Sequence, residues 1–164
     1  MNEYNGLSHI REVVILRGYP GAGKSTYVKN NFKEDTTVVC SADHFFMKNG
    51  EYKFDPSKLS EAHAASLRKF IDVINHPTDT PQTLVVDNTN TSVLELSPYL
   101  MVAKAYNLKI RLVKLACKNG YKEAAGRNIH GVPEKTVKRM EETFQTIPGW
   151  MLRGGKISEE TLET

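Results

Sequence analysis

The sequence predicts an α/β domain in which a parallel sheet lies between helices in three layers. Three observations predict it. Short apolar runs alternate with helix-like segments along most of the 164 residues. The first run, Glu12 to Arg17, leads directly into Gly18-Tyr19-Pro20-Gly21-Ala22-Gly23-Lys24-Ser25-Thr26, which fits the phosphate-binding loop pattern G-x-x-x-x-G-K-[ST] at each required position. A later run, Thr83 to Val86, ends on Asp87. Ligands of such sheets gather at the carboxyl ends of the strands, and both features fall there.

Taken in order, Glu12 to Arg17 reads as a buried strand and Lys24 to Asn31 as the helix after the loop. Thr36 to Ser41 is a second strand, with Asp43 just past its end. Phe45 to Lys48 and Glu51 to Phe54 flank Asn49-Gly50, a two-residue hairpin signal. Asp55-Pro56 supplies an N-cap and a first helical residue, opening a helix to about Asn75, and 76–81 is a loop. Thr83 to Asp87 is a third strand. Ser97-Pro98 caps a helix to about Asn107, and Leu108 to Leu115 is a fourth strand. Helices from Gly120 to Arg127 and from Pro133 to Thr146 complete a domain over 1–150. The polar tail 151–164 is expected to be loosely ordered. The expected sheet thus has about four parallel strands, in the order 2-3-1-4.

Composition places the chain among soluble globular proteins, with 40% hydrophobic and 25% charged residues. Met1 to Gly6 has no apolar leader run and no stretch has the length of a membrane span, so a cytoplasmic location, or a host cytoplasm for a viral protein, is expected. Cys40 and Cys117 lack metal-ligand spacing and read as reduced, buried thiols with no disulfide-linked partner. Charge is uneven: from Met101 to Met140 there are ten Lys or Arg, Lys104 through Arg139, against Glu123 and Glu134. Such an excess suits a polyanion, because neutralised phosphates release counterions. It equally suits a solvated basic face or nucleotide phosphates.

The motifs specify chemistry. Gly18, Gly21, Ala22 and Gly23 let backbone N–H groups converge on a phosphate, with Thr26 completing the loop. Lys24 can reach the β- and γ-phosphates, and the Ser25 hydroxyl can hold Mg²⁺. Asp87 ends an apolar strand in the Walker-B manner and suits the Mg²⁺ shell, through water. Asp87-Asn88-Thr89-Asn90 lacks the second carboxylate of a hydrolytic ATPase, and no guanine-reading Asn-Lys-x-Asp occurs. Asn88 and Asn90 can hold a substrate but cannot take a proton, which favours transfer to an acceptor over hydrolysis. Asp43 is the candidate base, with His44 facing away if the segment is extended. Arg127 ends a helix before the Gly131 turn and can reach phosphates from a lid, whereas Arg139 is a weaker second; His130 can contact substrate or cap the helix, and the cap is the favoured reading.

In order, Arg17 to Thr26, Ser41-Ala42-Asp43-His44-Phe45, Asp87 to Asn90 and Arg127-Asn128-Ile129-His130-Gly131-Val132-Pro133 resemble the 5′-kinase domain of bacteriophage polynucleotide kinase and related P-loop nucleic acid kinases. The resemblance spans roughly Val13 to Thr146. It implies a P-loop kinase fold with a helical lid, ATP or another NTP with Mg²⁺ as donor, and a nucleic acid 5′-hydroxyl as acceptor. It implies Asp43 as general base and Arg127 as a lid arginine. Two positions depart from the family: Phe46 stands where it has a 3′-phosphate-binding arginine, and Asn88 where it has an acid. A related phage set phosphorylates hydroxymethylated bases such as 5-hydroxymethyluracil in DNA, and that acceptor stays open. So do a small-metabolite kinase and a non-catalytic nucleotide-binding module. Phe46, with Phe45, Tyr52 and Phe54, can supply a stacking surface for a base, or pack the hairpin on the long helix.

Overall fold

The computed structural model describes residues 9–76, 80 and 82–164. The Met1–Gly6 segment and most of the expected 76–81 loop lie outside the described residues. In chain order the elements are β1 (Ile10–Arg17), α1 (Lys24–Asn31), β2 (Thr37–Cys40), α2 (Asp43–Phe46), β3 (Met47–Lys48), β4 (Glu51–Tyr52), α3 (Leu59–Asn75), β5 (Gln82–Val86), α4 (Val93–Ala105), β6 (Lys109–Ala116), α5 (Tyr121–Arg127), α6 (Glu134–Glu142) and β7 (Lys156–Glu163).

The sheet runs β2-β5-β1-β6-β7, with every neighbouring pair parallel, and β3-β4 is a separate antiparallel hairpin. β1 is central because it is apolar on both faces: Val13, Val14, Ile15 and Leu16 are all fully buried. Successive side chains alternate between faces. Val13 and Ile15 join one core with Phe70 and Ile74 of α3 and Leu96 and Leu100 of α4. Val14 and Leu16 join the other with Ala124 of α5 and Val137 of α6. Each such side chain contributes about 1.5–3 kcal/mol by leaving water. Among the described residues no helix is long and apolar enough to cross a membrane.

Four expectations require correction. The order of the four expected parallel strands holds, but the sheet has a fifth strand, β7, supplied by the polar tail. β7 is an edge strand with Glu159, Glu160 and Glu163, so its pattern reads as solvated. Only Ile157 and Leu162 pack into the cores, one on each face. Helix α4 begins four residues before Ser97-Pro98, capped by Ser92 with a reciprocal Ser92–Glu95 capping box. Pro98 lies inside it, and the Ser97 hydroxyl donates to Leu94 O at 3.4 Å, the carbonyl that Pro98 cannot serve. Helix α6 stops at Glu142 instead of Thr146, because Gln145 N–H donates to Thr91 O and Gln145 O accepts from Arg17. Finally, Asp43 and His44 lie in a single helical turn instead of an extended segment, so adjacent residues need not point apart.

Candidate active site

The loop between β1 and α1 holds its shape through its own backbone and through α5. Gly21 and Gly23 have φ of +81° and +85°, a region that other residues enter only with strain. A Cβ at Gly21 would lie 1.8 Å from Ala124 O, so α5 packs directly against the loop. Gly18 N–H donates to Thr89 O at 2.8 Å, which ties the loop to the segment after β5. The Tyr19 hydroxyl accepts from Cys117 N–H at 3.1 Å, and burial pushes its phenol up to about 12, against that hydrogen bond.

Lys24 opens α1 and turns back over the loop, where Nζ donates to Gly18 O at 2.8 Å and Tyr19 O at 3.3 Å. Burial lowers its ammonium below the ordinary lysine range, while Asp87 and then Asp43 oppose that shift. Burial raises the Asp87 carboxyl, Lys24 pulls it down and Asp43 pushes it up again. These three groups therefore share one electrostatic field at the carboxyl rim of the sheet. Among the described residues Lys24 is held by carbonyl oxygens alone, and Ser25 is exposed beside it. Gly18 N–H is spent on Thr89 O and Ala22 N–H on Tyr19 O, so the rest of the glycine-rich loop, with its desolvated cation, is what suits a polyphosphate, and Ser25 with Asp87 suits the Mg²⁺ that accompanies one.

Asp43 begins the one-turn helix α2, where its N–H donates to the Ser41 hydroxyl at 3.2 Å. Its carboxylate stays half-exposed. The Tyr52 hydroxyl donates to Oδ1 at 2.8 Å, and His130 Nε2 lies 3.6 Å from Oδ2. Burial lowers the neighbouring His44 imidazole, as does Lys69, whereas Asp87 and Asp43 raise it.

Other expected site residues serve different ends. Asn88 is buried: Oδ1 accepts from Ala42 N–H at 2.8 Å, and Nδ2 faces the Tyr99 and Ser66 hydroxyls at 3.4 and 3.5 Å. It fastens the end of β5 to the turn that carries Asp43 and offers little to a substrate. Asn90 is also buried, at φ +46°, and its Nδ2 donates to Leu16 O at 2.8 Å. Phe46 is 2% exposed, packed with Ala42 and Ala62 and ringed by Phe45, Tyr52 and Phe54. It cannot offer a face to a base; of these rings Phe54 is the open one, at 51%. Arg127 pairs with Glu123 and donates to Thr164 Oγ1 at 3.4 Å, beside the phosphate loop. A partly exposed pair of this kind is worth about 0–1 kcal/mol, so a phosphate can displace it.

The basic stretch is divided by the fold. Lys104 donates to Met151 O and Arg153 O, Lys109 and Arg111 pair with Glu12, and the Lys114 ammonium lies 4.5 Å from the Phe144 ring centre. Those four positions are taken up by local partners. On α6, Lys135, Lys138 and Arg139 line a shallow cavity of about 400 Å³ together with Glu142, which pairs with Lys138 at 3.7 Å.

Sequence reasoning gave Arg17 no role of its own and did not foresee the partners of Tyr52 and His130. Arg17 is buried at the end of β1, donates to Asn90 O and Gln145 O at 2.9 and 2.7 Å, and stacks on Phe144 at 4.6 Å. The signal was a lone charge closing an apolar run. Tyr52 is expected only in a stacking surface and His130 as a cap or a substrate contact; their meeting at Asp43 is not legible in the sequence, because it depends on chain segments far apart. His130 is no helix cap: Asn128 ends α5, and the imidazole turns to Asp43.

A phosphate-binding loop opening a helix beside the central strand of a parallel sheet ordered β2-β5-β1-β6-β7 defines the P-loop kinase-like class. The AAA domain family profile matches residues 13–147, and the chain belongs to that family. Human NEDD4-binding protein 2 is 34% identical over 137 residues, which cover 81% of this chain and 8% of that much longer protein. Three solved structures share the fold. AvrRxo1-ORF1:-ORF2 with ATP superposes with a TM-score of 0.66 at 16% identity, over 93% of this chain and 54% of that one. The Pnkp1/Rnl/Hen1 RNA repair complex gives 0.54 at 21%, over 94% and 46%. A gluconokinase from Sinorhizobium meliloti 1021 gives 0.55 at 13%, over 91% and 82%.

Proposed function

We propose that the protein is a kinase that moves the γ-phosphoryl group of ATP, or another NTP, to a hydroxyl of a nucleic acid, with the 5′-hydroxyl of DNA or RNA as the leading acceptor. The observation that carries this reading is that Lys24 turns back over the phosphate loop while Asp87 and the half-exposed Asp43 follow β5 and β2, the strands parallel to β1, at the same carboxyl rim. Resemblance to phage polynucleotide kinase at the four motifs supports it, as does the fold shared with the RNA repair complex.

In this reading Lys24 leaves Gly18 O and Tyr19 O for the β- and γ-phosphates, and loop N–H groups hold their oxygens. Ser25 and Asp87, the latter through water, would hold Mg²⁺, which neutralises phosphate charge when bound. Asp43 accepts the proton of the acceptor hydroxyl. The acceptor oxygen then bonds to the γ-phosphorus as the bond to the β–γ bridging oxygen breaks, and the nucleoside diphosphate leaves. Arg127 exchanges Glu123 for the phosphates. Lys135, Lys138 and Arg139 of α6 would take the acceptor backbone, Lys138 giving up its 3.7 Å pair with Glu142.

A second reading, a small-metabolite kinase, draws on the buried Phe46, the divided basic stretch and the fold shared with a gluconokinase. Hydroxymethylated bases in DNA remain a variant of the first reading. The test is a labelled-ATP assay across 5′-hydroxyl DNA, 5′-hydroxyl RNA, hydroxymethyluracil DNA, free nucleosides and gluconate. Transfer to oligonucleotides supports the proposal. Transfer confined to a nucleoside or to gluconate moves the second reading into its place.

A further inference from the structure

Tyr52 and His130 stand outside the set of groups just assigned, yet both meet Asp43. One comes from β4 and the other from the turn after α5, and their ring centres lie 4.7 Å apart. The turn is stiffened from within: Asn128 Nδ2 donates to Val132 O at 2.7 Å, and Asn128 Oδ1 accepts from His130 N–H at 3.0 Å. Ile129 at its tip is 84% exposed, so that side chain does not hold the turn down; the turn meets the hairpin through the His130 ring.

The two residues address different oxygens. Tyr52 donates to Oδ1 at hydrogen-bonding distance, whereas His130 lies 3.6 Å from Oδ2, too far for a full hydrogen bond. A general base must come within about 2.6–3.2 Å of the oxygen whose proton it takes. With Oδ1 committed, the free oxygen is Oδ2, and the loosely held imidazole is what covers it.

We propose that Tyr52 is a positioning residue for Asp43 and that His130 sits in the place of the acceptor hydroxyl, so that the 128–132 turn is an acceptor-displaced latch. The identity of the displacing hydroxyl rests on the kinase reading; the latch does not. Acceptor entry moves the imidazole off Oδ2 and off the Tyr52 ring. A planar ring carried beside the hydroxyl can replace it there, which favours a nucleotide unit over an aliphatic sugar acid.

The test pairs a structural and a kinetic readout on the full chain. Hydrogen exchange of amides in 128–132 is compared between wild type and Asp43→Ala, with α1 as internal reference. Loss of the carboxylate should speed exchange in the turn several-fold and leave α1 unchanged. Kinetics with ATP and a 5′-hydroxyl oligodeoxynucleotide follow for two variants. Tyr52→Phe should lower kcat about tenfold or more with KM for ATP unchanged, as expected for a lost hydrogen bond to a charged group. His130→Ala should lower KM for the oligonucleotide about threefold, because the competing closed state is gone. Unaltered exchange in Asp43→Ala, or a higher oligonucleotide KM in His130→Ala, overturns the latch. If wild type transfers nothing to any acceptor while the exchange response persists, the kinase reading falls and the latch stands.

Discussion

The donor loop and the acceptor carboxylate share one rim of the sheet but are built in opposite ways. The loop is a single contiguous run, Gly18 to Thr26, whose cation bonds to carbonyls five and six residues away. Asp43 is shaped by Tyr52, His130 and, through Ala42, Asn88, drawn from three further chain segments. The loop is anchored by backbone and by α5, so it is preformed. The acceptor side is held by side chains, one of them at the loose distance of 3.6 Å, so it can rearrange. A rigid phosphate seat facing an adaptable acceptor seat is an arrangement in which donor binding tolerates little change and acceptor choice tolerates much.

The largest effect should come from the rigid half. Lys24→Ala should abolish transfer, since a positioned charge at the phosphates supplies several kcal/mol of transition-state stabilisation. Retention of more than about a tenth of the activity would show that the loop cation does not do this. Next, Asp43→Asn keeps the size and removes the proton acceptor. Turnover should fall by about 10²-fold or more while ATP affinity, by calorimetry, changes little. A fall in ATP affinity with turnover preserved would join the two halves and make Asp43 part of the donor site.

Phe46→Ala should act on stability. Removing a buried ring from the α2–hairpin cluster should cost about 3 kcal/mol in urea unfolding. Its kinetic effect should follow from a displaced Tyr52, and so fall on kcat for the acceptor. Normal stability with a lost acceptor KM would return Phe46 to a stacking role.

The smallest effect sharpens the comparison from the donor side. Burial raises the Asp87 carboxyl, so its ionised form weakens the fold at neutral pH. Asp87→Asn should therefore raise the melting temperature of the nucleotide-free protein by about 2–4 °C while impairing Mg²⁺-dependent transfer. The sign follows from the direction of the shift. The wild-type penalty exists where the carboxyl is ionised, shrinks as pH falls through the raised folded value, and is gone below the ordinary carboxylate range. Scanning calorimetry at neutral and acidic pH checks it, and an advantage that persists at acidic pH would trace to packing instead.

Legibility followed the range of the interactions. The apolar runs of β1, β5 and β6 were readable because a strand covered on both faces has no polar alternative. β7 was not, because an edge strand needs only Ile157 and Leu162 in the cores and leaves its glutamates in water. The start of α4 is present in Ser92-Val93-Leu94-Glu95 as a capping box, but Ser97-Pro98 offers a competing start signal five residues further on. Phe46 and Asn88 have the residue types of a binding surface. Their burial arises from Ala62 of α3 and from Ala42, neither adjacent to both in the chain.

By itself the sequence determined the class of fold, the phosphate loop and the carboxylates at the ends of β2 and β5. Each of these depends on a local pattern: short apolar runs covered on both faces, glycines where φ is positive, a cation one residue after the loop glycine. Only the tertiary structure decided which acceptor-side residues touch Asp43, which lysines are taken by local partners, and that the polar tail completes the sheet. Those outcomes depend on contacts between segments tens of residues apart, where the free energy of a side chain is set by what the fold places opposite it.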